Sequence, residues 1–293
     1  MNSGDGWPEL PYAVWRETRD TLHLYTQIVG KIRLALAPFE RNWNNVPFGL
    51  TAHGLTTGPM PVGDGVAQID FDFLRHAIDL ARSDGRAHSI ALLPPRSVAD
   101  IYAEVRHAMR ALEIEAKIWP VAVEIGKPIR LDADRTHASY DPRAVQRFFR
   151  ALAGIATVFG EHRAIHRGKH TPLNFWWGSF DLSYVRYSGR DADPPPNADP
   201  IVRLAMDAEE ISAGFWPGDE RFPEAAFYCY AYPKPDGIET TAIRPPAAGW
   251  NAALGEWVLR YDDMRAAASP RAALREFLAS CYDTAARRMG WDR

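Results

Sequence analysis

The chain has 293 residues and a net charge of −3, from 34 Lys and Arg against 37 Asp and Glu. This balance argues against the basic face that a nucleic-acid-binding protein needs, and no apolar run reaches the roughly 18 residues that span a membrane. The composition, 46% hydrophobic and 24% charged, predicts a globular protein that buries a core without metals or disulfides. Two cysteines and the lack of a basic, apolar leader predict a reducing, cytoplasmic location.

The first half of the sequence predicts a helix, a set of short strands and a second helix. Apolar residues recur at helical spacing from about residue 11 to residue 37, where Pro38 ends the pattern. Asp-Gly pairs between alternating segments indicate hairpins. Ser97 with Asp100 three residues later resembles a capping box, and residues 114–125 are predicted to be extended. The four predicted strands cover residues 46–57, 66–73, 76–82 and 87–93.

The second half repeats this order. Asp141 followed by Pro142 is typical of a helix start, and that helix is predicted to continue to about residue 166. Asp199-Pro200 and Ser269-Pro270 predict a short helix over 200–209 and a last helix ending near residue 290. The predicted strands cover residues 173–187, 210–218, 226–233 and 255–261.

Each half therefore consists of a helix, several antiparallel strands and a helix. The predicted fold class is α+β, with two similar halves, 1–126 and 127–293, each an antiparallel sheet with helices packed on one face. An internal duplication would explain the similarity, although α+β chains also show this order by chance. A cleft between two such halves is a common place for a ligand.

A polar stripe on the first helix is the strongest candidate for catalytic chemistry. Asp20, His23, Gln27 and Lys31 share one helix face among apolar neighbours. Asp20 could orient His23 as a general base with help from Gln27, and Lys31 could bind substrate. The alternatives are a solvated stripe or a core histidine whose hydrogen bonds are satisfied.

A second candidate is His137, in the loop HASYDP, where several hydrogen-bonding side chains occur together. We predict that it lies in one pocket with His23 and Gln27. The same imidazoles, with Glu210, could instead hold one divalent metal ion. The alternative for this loop is a structural role next to the helix cap at Asp141.

Aromatic residues predict the walls of a pocket. On one strand through FWWGSFDL, a period of two places Trp177 with Asp181 on one face and Trp176 on the other. In AFYCYAYP, Tyr228, Tyr230 and Tyr232 share a face, which we expect to be covered by protein or ligand. Core packing and surface exposure are the alternatives. The residues predicted to bind substrate are Lys31, Trp176, Trp177, Asp181, Trp216, Tyr228 and Tyr230.

The segments TLHLYTQIVGKIRL, HASYDP, FWWGSFDL, SAGFWPG and FYCYAYP resemble a bacterial family known as domain of unknown function number 5996. The resemblance covers nearly the whole chain and implies no activity, cofactor or catalytic residue. Relatives often have His where this chain has Asn174, so a histidine there is not essential here. Signatures of P-loop, dinucleotide-binding, zincin and α/β-hydrolase proteins are missing from the sequence.

These observations predict a cytoplasmic small-molecule enzyme with a His-centred polar pocket and aromatic walls, working by acid–base or metal-assisted chemistry. The alternatives are a non-catalytic binding module for a sugar or aromatic metabolite, and a structural protein whose polar stripe is hydrated. A small-molecule ligand is the expected partner, and neither nucleic acid nor membrane is expected. The sequence leaves the substrate, the cofactor and the oligomeric state open.

Overall fold

The computed structural model describes residues 6–291, so residues 1–5 and 292–293, at the outer ends of the two predicted halves, lie outside the described residues. Helices and two six-stranded antiparallel sheets give an α+β fold with one sheet in each half. The predicted fold class is confirmed. None of the helices within residues 6–291 combines the length and apolar character needed to cross a membrane.

The N-terminal half places a sheet between two long helices in the chain. Its strands have the order β1-β2-β4-β5-β6, with β3 also paired to β4. β3 was not predicted. The elements are α1 (Tyr12–Leu36), β1 (Gly49–Leu50), β2 (Gly54–Thr56), β3 (Met60–Val62), β4 (Gly65–Asp72), β5 (Ala77–Arg82), β6 (Ala87–Ala91) and α2 (Val98–Ala111).

The C-terminal half has the strand order β11-β12-β10-β9-β8-β7. β11 and α5 were not predicted. The elements are α3 (Pro142–Ala164), β7 (Asn174–Trp176), β8 (Asp181–Asp191), α4 (Pro200–Ala205), β9 (Ala208–Trp216), β10 (Ala226–Tyr232), β11 (Gly249–Asn251), β12 (Glu256–Arg260), α5 (Tyr261–Ala266) and α6 (Pro270–Arg288).

The two sheets meet edge to edge through Phe48 and Phe175. Each residue donates its backbone N–H to the carbonyl of the other, with both N···O distances 2.9 Å. Phe48 directly precedes β1, and Phe175 is the middle residue of β7, so each lies at the start of the sheet that follows the long helix of its half. An antiparallel bridge between equivalent residues would lie on a local twofold axis, as an internal duplication requires. The duplication and the boundary after residue 126 stay predictions.

Three helix starts agree with the sequence. Ser97 and Asp100 form a capping box, with Ser97 Oγ accepting from the Asp100 N–H. The Asp141 carboxylate caps α3 at the N–H of Arg143, and the Asp199 carboxylate caps α4 in the same way. These starts were predictable because a cap depends only on neighbouring residues.

The single strand predicted over 173–187 is wrong, because the chain turns back over residues 177–180. β7 and β8 form a hairpin in which Trp176 pairs with Asp181. The N–H of Phe180 donates to the carbonyl of Trp176, and Phe180 has a φ of 62°. The segment 114–125, predicted to be extended, contributes no strand to either sheet, and Val121 in it forms an isolated bridge with Arg130.

The C-terminal sheet has helices on one face. On β10, Phe227, Cys229 and Ala231 are buried on the side of α3 and α6. The residues between them in sequence, Tyr228 and Tyr230, point to the opposite face. The cavity described next lies above that face.

Candidate functional site

A cavity of about 720 Å³ lies on the face of the C-terminal sheet opposite the helices. Its floor is formed by alternate residues of β8, β9, β10 and β12. Its roof comes from segments distant in sequence, including Trp43, Ile201 and Phe222. The Trp43 indole N–H donates to the carbonyl of Ile201 at 2.9 Å, which joins two parts of the roof.

Aromatic rings form much of the wall. Tyr228 and Tyr230 are nearly parallel, with an interplanar angle of 9° and ring centres 6.4 Å apart. Trp216 stacks on Phe222 at the other side of the site. The aromatic residues that line the cavity are Trp43, Trp176, Trp177, Tyr187, Trp216, Phe222, Tyr228 and Tyr230.

Asp181 is a buried carboxyl in this wall and is held by two hydroxyl groups. Both Ser179 and Tyr228 donate to it. Burial raises the pKa of Asp181 to about 6, while the two donated hydrogen bonds oppose the rise because they stabilise the carboxylate. Arg186, a basic residue on the same strand as Asp181, donates instead to the carbonyl of His162.

The contact between Tyr228 and Asp181 depends on a glycine. Gly214 on β9 pairs with Tyr228 on β10 and with Ser183 on β8. A Cβ atom at Gly214 would lie 2.2 Å from Cζ of Tyr228. Because Gly214 has no side chain, the tyrosine can lie across β9 and reach the carboxyl on the next strand.

Glu210 is a second buried carboxyl with weaker support. It is 4% exposed, and the Tyr230 hydroxyl donates to its Oε1 at 3.3 Å. Burial raises the pKa of Glu210 to about 8. The neutral acid is therefore favoured at neutral pH.

Glu256 and Glu124 add two more carboxyls to the cavity lining. Burial and the charge of Asp181 raise the pKa of Glu256 to about 7, and the same two causes raise the pKa of Glu124. Across the described residues 6–291, neither side chain forms a hydrogen bond or ion pair. Arg221 is the one basic residue among those lining the cavity, and its exposed guanidinium pairs with Asp219.

His23 lies outside this lining and binds backbone. Its Nε2–H donates to the carbonyls of Gly178 at 2.9 Å and Trp177 at 3.1 Å. Burial, with the nearby charge of Arg19, lowers the pKa of His23 to about 3. The imidazole is therefore neutral and already used as a donor, which corresponds to the core-histidine alternative.

Gln27 also holds the chain together. Its amide nitrogen donates to the carbonyl of Val123 at 2.9 Å and its Oε1 accepts from the Val123 N–H at 3.0 Å. Asp20 pairs with Arg19 at 2.8 Å, so its carboxylate does not orient His23. The helix stripe thus contacts neighbouring segments, which is why it is polar and yet largely buried.

Lys31 lies near the cavity, next to the ring of Trp177, but does not line it. Its Nζ lies 5.9 Å from the ring centre of Trp177, whose indole N–H donates to the carbonyl of Val46. Burial lowers the pKa of Lys31. Lys31 does not line the cavity. The prediction that Lys31 binds substrate directly therefore has no support from the geometry and stays a prediction.

Among the described residues, His137 and His23 share no hydrogen-bond partner. His137 Nδ1 lies 2.6 Å from Oδ2 of Asp134, a fully buried carboxylate that also accepts the N–H groups of Thr136 and His137. Within residues 6–291, no group of three or more His, Cys, Asp or Glu side chains could hold a metal ion. His23, His137 and Glu210 therefore do not form such a group among the described residues.

The cavity gathers most of the other candidates. Trp176, Trp177, Asp181, Trp216, Tyr228, Tyr230 and Glu210 all line it. Sequence reasoning missed Glu256 and Trp43. Glu256 had a usable signal, because it alternates with Trp257 on a predicted strand and is charged where the other face is apolar. Trp43 lies in an irregular segment far from the sheet in sequence and had none.

The chain belongs to the family of unknown function DUF5996, which matches residues 7–293. The match covers the two sheets and the cavity. No curated protein and no solved structure matches this chain.

Proposed function

We propose that this protein is an enzyme that binds a small organic molecule in the cavity of the C-terminal sheet and acts on it by general acid–base chemistry. The observation that carries the proposal is the set of three buried or half-buried carboxyls, Asp181, Glu210 and Glu256, in one aromatic cavity. In the part of the chain that the structure describes, none of them has an ion-pair partner.

The environments of two carboxyls separate their roles. Asp181, with a pKa of about 6, is mostly ionised at pH 7 and can accept a proton. Glu210, with a pKa of about 8, is mostly protonated and can donate one. Two carboxyls whose pKa values are pushed apart in one site are typical of acid–base enzymes. Carboxyls thus take the role that the sequence suggested for His23.

A second candidate is a binding module for a sugar or aromatic metabolite. The nearly parallel rings of Tyr228 and Tyr230 favour it, because a flat wall suits a planar ligand or the apolar face of a sugar. For either function we propose a cytoplasmic location, which agrees with the two free, buried cysteines, Cys229 and Cys281.

A cavity-filling variant tests the proposal. Val258 lines the cavity, whereas Val66 is exposed on the other sheet, so Val258→Phe and Val66→Phe form a matched pair. A panel of sugars, aromatic acids, amines and uncharged aromatics is screened by thermal shift against both variants and the wild type. Ligands of the cavity should raise the melting temperature of the wild type and Val66→Phe but not of Val258→Phe.

Bound ligands are then followed by NMR for chemical change. At pH 7 we expect turnover by the wild type and a loss of at least about a hundredfold in Asp181→Asn and in Glu210→Gln. Binding should be retained at this pH, where Glu210 is mostly protonated and glutamine resembles it. Binding without turnover would favour the binding module. Ligands that shift the wild type and Val258→Phe equally would contradict the cavity as the site.

A further inference from the structure

We infer that the ligand carries a cationic nitrogen, held between Glu210 and Glu256 against the aromatic wall. This inference rests on the proposed function, since it assigns the ligand class of the same cavity. It follows from the charges of the wall, from the missing partners of its carboxyls and from the position of the rings between them.

The ionisable groups that line the cavity are mostly acidic. Four carboxyls line it: Glu124, Asp181, Glu210 and Glu256. Arg221 is the basic residue in the same lining; its side chain is 80% exposed and engaged by Asp219. Lys31 is buried next to the Trp177 ring but does not line the cavity. Because no buried cation lines the cavity within residues 6–291, an anionic ligand would be repelled and a cationic one attracted.

The carboxyls differ in how many hydrogen bonds they accept from the protein. Asp181 accepts from two hydroxyl groups, Ser179 and Tyr228. Among the described residues, Glu210 accepts one long hydrogen bond, from Tyr230. The Glu256 side chain has no hydrogen-bond or ion-pair partner among the described residues. A buried carboxylate is costly unless a donor or a cation compensates it, so Glu210 and Glu256 are the groups that a bound cation would complete.

Strand register places these two carboxyls on either side of Tyr230. Val258 pairs with Tyr228, so Glu256, two residues earlier on the antiparallel strand, lies beside Tyr230. On the other side, Tyr230 pairs with Ser212 of β9 and donates to Glu210. The backbones of β9 and β12 are about 10 Å apart, two strand spacings. An alkylammonium group above the ring of Tyr230 would therefore meet one carboxyl on each side.

The rings provide the remaining contacts for a cation. The faces of Trp, Tyr and Phe carry negative partial charge and attract ammonium groups within about 6 Å. Two rings of this wall already lie close to cations of the protein. Arg221 lies 6.0 Å from the ring centre of Trp216, and Lys31 lies 5.9 Å from the ring centre of Trp177. Tyr228 and Tyr230 have no such protein cation among the described residues, and they face the cavity.

The binding of a cation must then depend on pH. The groups that face Glu210 and Glu256 are Asp181 and Tyr187 on β8, Tyr228 and Tyr230 on β10, Glu124 and Arg221 at the rim, and Asp207 near Glu210. Lys234 lies beyond Glu256 and pairs with Glu239. With pKa values of about 8 and about 7, Glu210 and Glu256 lose their protons between pH 6 and 9. A ligand of fixed positive charge should bind more tightly as they do.

Choline and its uncharged isostere 3,3-dimethylbutan-1-ol are the probes, because they have the same shape and differ in one charge. Binding to the wild type is measured by tryptophan fluorescence and calorimetry at pH 6, 7, 8 and 9. We expect choline to bind at least about tenfold more tightly than the alcohol at pH 8. Its affinity should rise with pH by up to about a hundredfold, whereas that of the alcohol should stay constant.

Charge-neutral variants locate the cation. Glu210→Gln and Glu256→Gln should each weaken choline binding at pH 9 at least about fivefold and flatten its pH dependence. Glu113→Gln is the control, because Glu113 is exposed and pairs with Arg86 in the N-terminal half. In the control, choline should bind as in the wild type.

The outcomes separate this inference from the proposed function. If the alcohol binds as tightly as choline, or choline affinity does not change with pH, the inference is wrong while the cavity remains a small-molecule site. If neither probe binds, the cationic ligand is also rejected, and the uncharged and anionic members of the thermal-shift panel decide on the proposed function. If choline binds equally well to Val258→Phe, both are contradicted.

Discussion

Asp181 and Glu210 are both buried, but they have different pKa values and accept different numbers of hydrogen bonds. Two hydroxyl donors stabilise the ionised form of Asp181, and its pKa rises only to about 6. Glu210 has a single long contact with Tyr230, and its pKa rises to about 8. Burial raises both pKa values; the two donated hydrogen bonds limit the rise at Asp181, and the charge of Asp207 adds to the rise at Glu210.

Tyr228→Phe tests this argument. The substitution removes one donor from Asp181 with little change in packing, so the pKa of Asp181 should rise above about 6. The side-chain carboxyl can be followed by carbon-13 NMR during a pH titration. Tyr230→Phe is the control, because its hydroxyl contacts Glu210. A midpoint for Asp181 that does not move in Tyr228→Phe would show that this hydrogen bond has no such effect.

His23 makes the protein sensitive to acid. The pKa of His23 is about 3 in the folded protein, against an ordinary value of 6.5. Between pH 6.5 and pH 3, this histidine is protonated in the unfolded chain but stays neutral in the folded protein. As the pH falls through this range, the free energy of unfolding therefore decreases by up to about 1.4 kcal/mol per pH unit from this residue.

His23→Gln should remove this contribution, while its amide can still donate to the carbonyl of Gly178. We expect a lower stability than the wild type at pH 7 but a smaller loss between pH 6.5 and 4, measured by urea unfolding. The matched control is His107→Gln at an exposed position of α2. An acid dependence as steep in His23→Gln as in the wild type would refute the argument.

At the scale of elements, the β7–β8 hairpin is fixed against α1 by a glycine. A Cβ atom at Gly30 would lie 2.1 Å from the Trp177 ring, so the indole occupies the space where a side chain would be. The sequence predicted α1 almost to the residue, but nothing in the helix pattern shows which residue packs against Gly30. That information comes from a segment almost 150 residues away.

Gly30→Ala and Gly160→Ala form a matched pair within two long helices. Gly30→Ala should destabilise the protein by about 1–3 kcal/mol, because the Trp177 ring has to move to make room for the new methyl group. Since Trp177 lines the cavity, the cavity wall should change as well. A Cβ at Gly160 meets nothing within 4 Å, so that variant should be up to about 1 kcal/mol more stable. Thermal unfolding of both variants checks the result. Equal effects would mean that Trp177 is not seated on Gly30.

Local sequence signals explain which elements could be predicted. Caps at Ser97, Asp141 and Asp199 depend on adjacent residues and agree with the structure. The β7–β8 hairpin was missed because FWWGSFDL alternates like one strand, and its turn ends at Phe180, a non-glycine residue with positive φ. Such a turn is stabilised by tertiary packing, since Phe180 is fully buried.

For the whole molecule, the two sheets could be predicted but the place of the site could only be predicted in part. Period-two patterns identified the cavity face of β10, and the aromatic residues singled out from sequence do line the cavity. The polar stripe of α1 led to a different predicted site, because a buried polar side chain can bind backbone groups as well as a ligand. The roof joins residues near 43, 201 and 222, a meeting that no local pattern contains.

The central claim is that the C-terminal sheet holds carboxyl groups poised for proton transfer at neutral pH. The most direct measurement is a carbon-13 NMR titration of the glutamate side-chain carboxyls from pH 3 to pH 10. We predict one midpoint near 8, lost in Glu210→Gln, and a second near 7, lost in Glu256→Gln. If every glutamate titrates below about pH 5, as exposed carboxyls do, the acid–base site proposed here does not exist.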